Sequence, residues 1–195
     1  MKKSLPLFLL LAAICGPTFS ARADTYKIDP VHSAIRFKVR HFFSYVSGSF
    51  EKFEGTIQFN PDQPEKSSVT AKIETASINT GNEKRDGDLR SPMFFDVEKY
   101  PAITFKSKKV RQTGPDSADV VGDLTMHGVT KEISLQVKFL GKGKGMGGSS
   151  ISGWQVTPEP IKRSDYGLTW SKMVEGTAVV GEEVTISIDV EAGKE

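Results

Sequence analysis

Eight segments of this chain alternate apolar with polar residues, and that period of two restricts the fold more than any other feature. The cleanest is Ile133-Ser134-Leu135-Gln136-Val137-Lys138-Phe139, and Val184–Val190, Ile35–Val39 and Val69–Ile73 repeat it. Further strand candidates are Phe53–Phe59, Ile103–Val110, Ala118–Met126 and Ile151–Ile161. Alternation over five to seven residues is the signature of a half-buried strand. One apolar and one polar face on every strand means a single interior and a solvated exterior. A parallel sheet covered by helices would instead give continuous apolar runs. The pattern therefore predicts an all-β, eight-stranded antiparallel up-and-down barrel, with short helical segments at a rim. A sandwich would satisfy the alternation too. Hairpin order closes a barrel without crossings, and closure removes exposed edges.

The connections alternate in character. After the second, fourth and sixth strands come tips: Pro61–Pro64, Gly114–Ser117 and the run Gly141–Gly148. After the first, third and seventh come longer aromatic segments: His41–Ser47, Ala76–Tyr100 and Arg163–Gly181. In an up-and-down sheet the odd-numbered connections share one end. The chain then reads as a cup with one trimmed rim and one aromatic rim. His127-Gly128 reads as a tight hairpin turn. Within Ala76–Tyr100, Thr80 or Asn79 would cap a short helix to about Arg90, which Pro92 would end. That helix would plug one end, line a mouth, or do both. Arg85 with Asp86 and Arg163 with Asp165 have the types to form ion pairs.

Eight strands enclose either packed side chains or one small ligand. The inward set is Ile, Val, Phe and Leu, with Ala71, Gly55 and Gly122 among them. Small inward residues favour a hollow interior, although they would equally accommodate bulky neighbours such as Phe37 and Phe59.

The first 23 residues read as an export signal. Lys2 and Lys3 precede an apolar run from Leu5 to Ile14, Pro17 breaks it, and Ala21-Arg22-Ala23 has the small-x-small cleavage pattern. The expected mature domain is 24–195, and the expected location is a bacterial periplasm. The one cysteine, Cys15, lies in the removed segment, so the domain would be held by its core without disulfides. The net charge of +2 includes Lys2, Lys3 and Arg22, which leaves −1 without them. Charges are mixed along the chain, so there is no footprint for nucleic acid. No second apolar run of about 18 residues provides a membrane span.

Catalytic and metal signals are weak. His32, His41 and His127 lack metal-like spacing, and Asp29, His32 and Ser33 have triad residue types but neighbouring strand residues face opposite ways. The glycine-rich run lacks the spacing of a phosphate loop. No enzyme and no catalytic cofactor are expected.

In order along the chain, Tyr26-Lys27-Ile28-Asp29-Pro30-Val31-His32-Ser33, Val46–Phe50, Asn82–Asp86, Phe94-Phe95-Asp96-Val97, Tyr100–Phe105, Gly122–Lys131, Arg163–Leu168 and Val184–Val190 resemble the YceI-like family of exported lipocalin-like proteins. The resemblance implies a barrel with a long internal pocket. It also implies a bound isoprenoid quinone, polyprenyl phosphate or other long-chain amphiphile. The expected role is a periplasmic carrier. Its tail site would be Phe37, Val39, Phe50, Phe53, Phe59, Phe94, Phe95, Trp154 and Trp170. The head group would meet some of His41, Asn79, Arg85, Arg163 and Tyr166. Membrane contact would be transient, and an exposed apolar mouth would favour a homodimer. The alternatives are an enzyme or stress-protective protein acting on a lipid or quinone, and a packed barrel that binds a protein partner.

Overall fold

Strand pairing in the computed structural model, which describes residues 23–195, runs once around and returns to its start. The leader read from residues 1–23 lies, all but Ala23, outside the described residues. The first barrel strand has two pieces, β1 (Asp24–Ile28) and β2 (Ala34–His41). The second also has two, β3 (Ser44–Phe50) and β4 (Phe53–Phe59). β5 (Ser68–Glu74) is followed by the two-residue β6 (Ile78–Asn79) and the helix α1 (Glu83–Arg90). Then come β7 (Ala102–Gly114), β8 (Ser117–Met126), β9 (Val129–Lys144) and β10 (Ser150–Pro158). The short β11 (Ile161–Lys162), β12 (Met173–Val174) and β13 (Thr177–Ala178) precede β14 (Val180–Lys194).

β14 closes the ring. Its far end pairs with β1, Tyr26 opposite Lys194, and its remainder pairs with β2, Ile35 opposite Ile188. Counting β1 with β2 and β3 with β4, the result is a closed eight-stranded antiparallel barrel with every neighbour hydrogen-bonded.

Two expectations change. His41–Ser47 is not a long connection. Phe42 and Phe43 alone make the turn, and His41 pairs directly with Ser44. The pattern of β3 is obscured because Gly48 stands where an apolar residue would mark the inner face. A Cβ there would lie 2.5 Å from Phe37 Cζ, so the Phe37 ring requires the glycine. The helix cap is Asn82, whose Oδ1 accepts from Arg85 N at 3.0 Å, rather than Thr80 or Asn79. The His127-Gly128 turn forms as expected, with both residues at positive φ, 51° and 77°.

The interior differs along the axis. At the end carrying α1, Phe50, Ile78, Ile103, Met126, Tyr166 and Leu168 form a fully buried cluster. Leu89, Phe95 and Ile161 pack against it. Several of these come from connections that fold back into the tube. Farther along, the inward residues of β9 and β14 are mostly half-buried rather than buried.

Candidate internal cavity

That half-burial has a direct cause: the barrel is hollow. A cavity of about 510 Å³ is lined by inward side chains of all eight strands. This falls within the usual range for ligand pockets, roughly 300–1,000 Å³. From Ile103 to Gln112 the lining follows nine residue steps of β7, about 30 Å of strand. The inward residues along the middle are Ile, Val, Phe, Leu and Ala, such as Ile57, Val69, Ala71, Leu135 and Ile186.

The room does not come from the inward glycines. A Cβ on Gly122 would meet Phe105 Cζ at 2.6 Å, and one on Gly55 would meet Ile28 Cδ1 at 2.6 Å. Neighbours already occupy both places. The space exists because eight strands set a diameter that their own side chains do not fill.

The two ends are unlike. At the end holding both described chain termini, the lining reaches the exposed Pro61, Pro115 and Asp116, so the cavity meets solvent there. Ser67, Ser68, Gln112 and Ser117 supply further polar groups at that end. At the opposite end Leu89, Phe94, Phe95 and Leu168 line it above the buried cluster.

Of the residues predicted for an apolar tail, Phe37, Val39, Phe50 and Phe53 line the cavity, as do Phe59, Phe94, Phe95 and Trp154. Trp154 is buried among Tyr26, Phe59 and Phe139, with ring centroids 5.6, 6.0 and 5.9 Å away. Trp170 is not part of the lining and packs against Phe94 at 5.1 Å. Sequence reasoning passed over Ile57, Val69, Leu135, Val137 and Ile188 as lining, although the alternation that marked the strands also marks them.

The residues predicted for a head group are mostly engaged elsewhere. Arg163 lines the cavity but is buried, and its guanidinium donates to Gly181 O at 2.9 Å, Leu168 O at 2.6 Å and Trp170 O at 2.7 Å. Its charge faces Glu182 at 3.7 Å rather than Asp165, which instead pairs with Lys131 at 3.1 Å. Arg163 thus pins the β11–β14 connection to the barrel. Arg85 donates to Thr80 Oγ1 and O at 2.7 and 3.0 Å. Asp86 accepts from the same Thr80, so both side chains converge on it rather than pairing with each other. Asn79 donates to Glu51 and accepts from Gly81 N. Tyr166 is 1% exposed, in the buried cluster, and burial pushes its phenol pKa up. His41 is half-buried, edge-on to Phe42 at 5.1 Å. None of these four lines the cavity.

One titratable cluster stands apart on the outer surface, where β1 passes into β2. His32 Nδ1 lies 2.7 Å from Asp29 Oδ2 and 3.9 Å from Glu191 Oε1. The hydrogen bond raises the His32 pKa and lowers that of Asp29. Ser33 Oγ donates to Glu191 O, not to His32, so the three residue types do not form a relay. The contacts tie the β1–β2 junction to β14.

A cysteine-free closed barrel with a polar outside and an apolar, loop-plugged tube matches one family model, the YceI-like domain, over residues 26–192. The chain belongs to the YceI family. Protein YceI of Salmonella arizonae is 36% identical over 194 residues, 98% of this chain and 97% of the relative. The crystal structure of the Campylobacter jejuni YceI protein superposes with a TM-score of 0.68 at 32% identity, over 78% of this chain and 87% of that one. A polyisoprenoid binding domain from Saccharophagus degradans, implicated in plant cell wall breakdown, shares the fold. Its TM-score is 0.64 at 21% identity, covering 87% of this chain and 98% of that one. In this chain the candidate binding site is the tube itself. Among the described residues no helix is long and apolar enough to cross a membrane.

Proposed function

We propose that this YceI family member is an exported, periplasmic carrier for a long-chain isoprenoid lipid whose tail occupies the barrel. One observation carries the reading: the inward residues are apolar yet only half-buried, because the tube is open. An apolar cavity this long is costly to keep wet and suits a chain of repeating methyl-branched units. Each methylene taken from water contributes about 0.8 kcal/mol, so a tail binds tightly without directional contacts. The Saccharophagus domain, described as polyisoprenoid binding, shares this barrel and supports the same ligand class. The packed-barrel alternative loses its basis, since the centre is not packed.

The carrier would read the tail far more than the head. Arg163, Arg85 and Asn79 already spend their polar atoms on the protein. The polar residues at the solvent-facing mouth are exposed or partly exposed, where hydrogen bonds to a ligand replace those to water with small net gain. Two ligand series test this: prenols of increasing length, and one tail bearing a hydroxyl, a phosphate or a quinone ring. Affinity should climb with length until the tube is full and change less than about tenfold across head groups, roughly 1.4 kcal/mol. Affinity that ignores length and follows the head group would overturn the reading.

A further inference from the structure

The tube opens at the end away from α1, and the barrel wall there is lopsided. β8 starts with Ser117 opposite Lys138, while β9 and β10 run on together to Lys144 and Ser150. The β1–β14 pairing extends the same side, with Tyr26 opposite Lys194. One side of the mouth thus stands above the other as a tall wall.

A bulge decides what that wall presents. Trp154 pairs with Phe139 but Gly153 pairs with Gly141, so Leu140 is an extra residue in β9. One extra residue exchanges the two faces of all that follows it. Leu140 is turned out, 59% exposed, and Lys142 and Lys144 pair with Ser152 and Ser150. Paired residues share a face, and Ser150 and Ser152 alternate along β10 with the buried, cavity-lining Trp154. Lys142 and Lys144 therefore lie on the inner face. So do Lys194, opposite the buried Tyr26, and Asp24, opposite the cavity-lining Phe59.

These four residues line a second hollow of about 360 Å³, together with Tyr26 and Ser150. Phe59 joins it to the tube, since Lys142 Nζ lies 5.4 Å from the centre of that ring. The wall carries three ammonium groups against the one carboxylate of Asp24. Lys194 pairs with Asp24 at 2.7 Å. Lys144 donates to Ser150 Oγ at 2.9 Å and Lys142 meets the Phe59 ring, and neither has a carboxylate partner among the described residues. Glu195 is engaged with Lys27 at 3.5 Å. Across the mouth the low rim carries Asp62, Glu65 and Asp116 with Lys66. The positive excess is thus confined to the tall wall. At its foot Ser152 is 2% exposed, and its hydroxyl has no hydrogen-bond partner. A buried hydroxyl left unpaired is a donor for a ligand oxygen.

We propose that this wall receives the head group of the carried lipid, and that the head group is a phosphate ester. Ammonium groups on flexible stems act as point charges and suit a phosphate, which carries about −1.5 to −2 charge near pH 7. A hydroxyl or a quinone ring leaves that charge unused. With the phosphate against Lys142, Lys144 and Lys194, the tail enters the tube past Phe59 and its far end lies toward Phe95. The lysines are exposed, so the gain is several-fold and stays small beside that of the tail. The inference rests on the carrier reading and chooses the head group within it.

The test is equilibrium binding of farnesol and farnesyl monophosphate, which share one tail, with inorganic phosphate as a third probe. The wild type is compared with a Lys142→Gln, Lys144→Gln double variant and with Lys72→Gln on the outer wall. All three lysines are exposed, so the variants should keep their fold, checked by thermal melting. The monophosphate should bind the wild type about fivefold more tightly than the alcohol in ~20 mM salt. That ratio should fall to about one in ~0.5 M salt and in the double variant, and persist in Lys72→Gln. Inorganic phosphate should bind at least about tenfold more weakly than the monophosphate, for want of a tail. A wild-type ratio of one, or a ratio that survives in the double variant, overturns the inference. So does inorganic phosphate that matches the monophosphate in affinity and is lost in the double variant, which makes the hollow a free-phosphate site. Farnesol separates the two readings. If it binds and the ratio is one, the head-group site alone fails. If neither lipid binds the wild type, the carrier reading fails and the head-group site falls with it.

Discussion

One barrel interior contains two regions with the same inward chemistry and opposite packing. Near α1, Phe50, Ile78, Ile103 and Tyr166 are buried at 8, 1, 5 and 1% exposure. Along the middle, Ile133, Leu135 and Val137 are only half-buried. Both regions are apolar, and both sit on alternating strands. The difference is who supplies the side chains. At the α1 end the connections contribute Ile78, Leu89, Phe95, Tyr166 and Leu168 to the space between strands. In the middle only the strands contribute, and eight strands do not fill their own tube. Alternation thus makes a wall, and folded-back connections decide where the wall encloses a core.

The contrast can be broken at several points. Ile78→Ala should cost about 2–5 kcal/mol, as for other buried truncations, read as a shift in the urea midpoint. Leu135→Ala in the hollow middle should cost under about 1.5 kcal/mol, since its side chain is only partly buried and faces the open tube. Equal losses would mean that the middle is packed. Arg163→Met should rank close to Ile78→Ala. It leaves three carbonyls short of a donor and frees the β11–β14 connection, an effect of about 3 kcal/mol. If proteolysis then shows no faster cutting between residues 163 and 181, that pinning role is wrong.

Val137→Asp should spare the fold yet abolish prenol uptake, because a carboxylate in a dry tube costs several kcal/mol on ligand binding. Ligand binding left intact would put the tail elsewhere. Tyr166→Phe should be neutral or slightly stabilising, as the buried hydroxyl has no hydrogen-bond partner. A large loss in melting temperature would contradict that.

The smallest effect belongs to Asp29 and His32. The raised His32 pKa means its contribution is complete below its ordinary 6.5 and fades as pH rises through the higher folded value. The lowered Asp29 pKa means the same contact fades on the acid side only as pH falls through a value below 3.8. Both groups are exposed, so a small melting difference between wild type and His32→Gln at pH 5.5 should vanish near pH 9.

The wall was legible in the sequence and its contents much less so. Ile133–Phe139 and Val184–Val190 announce strands because one face is solvated, which enforces the period of two. β3 was hidden because a ring, Phe37, takes the place of a side chain at Gly48. Most of the tail residues could be found for the same reason the strands could: inward is apolar. The polar rim could not. Whether Arg163 meets a ligand or the carbonyls of Leu168 and Trp170 depends on how a connection folds back, and no local pattern encodes that.

The central claim is that the tube holds an isoprenoid tail. Mass spectrometry of protein purified from its native host, first under native and then under denaturing conditions, tests it most directly. The account predicts an added mass that leaves on unfolding and is identified as an isoprenoid lipid. A bare polypeptide mass that persists after incubation with lipid extract would contradict it.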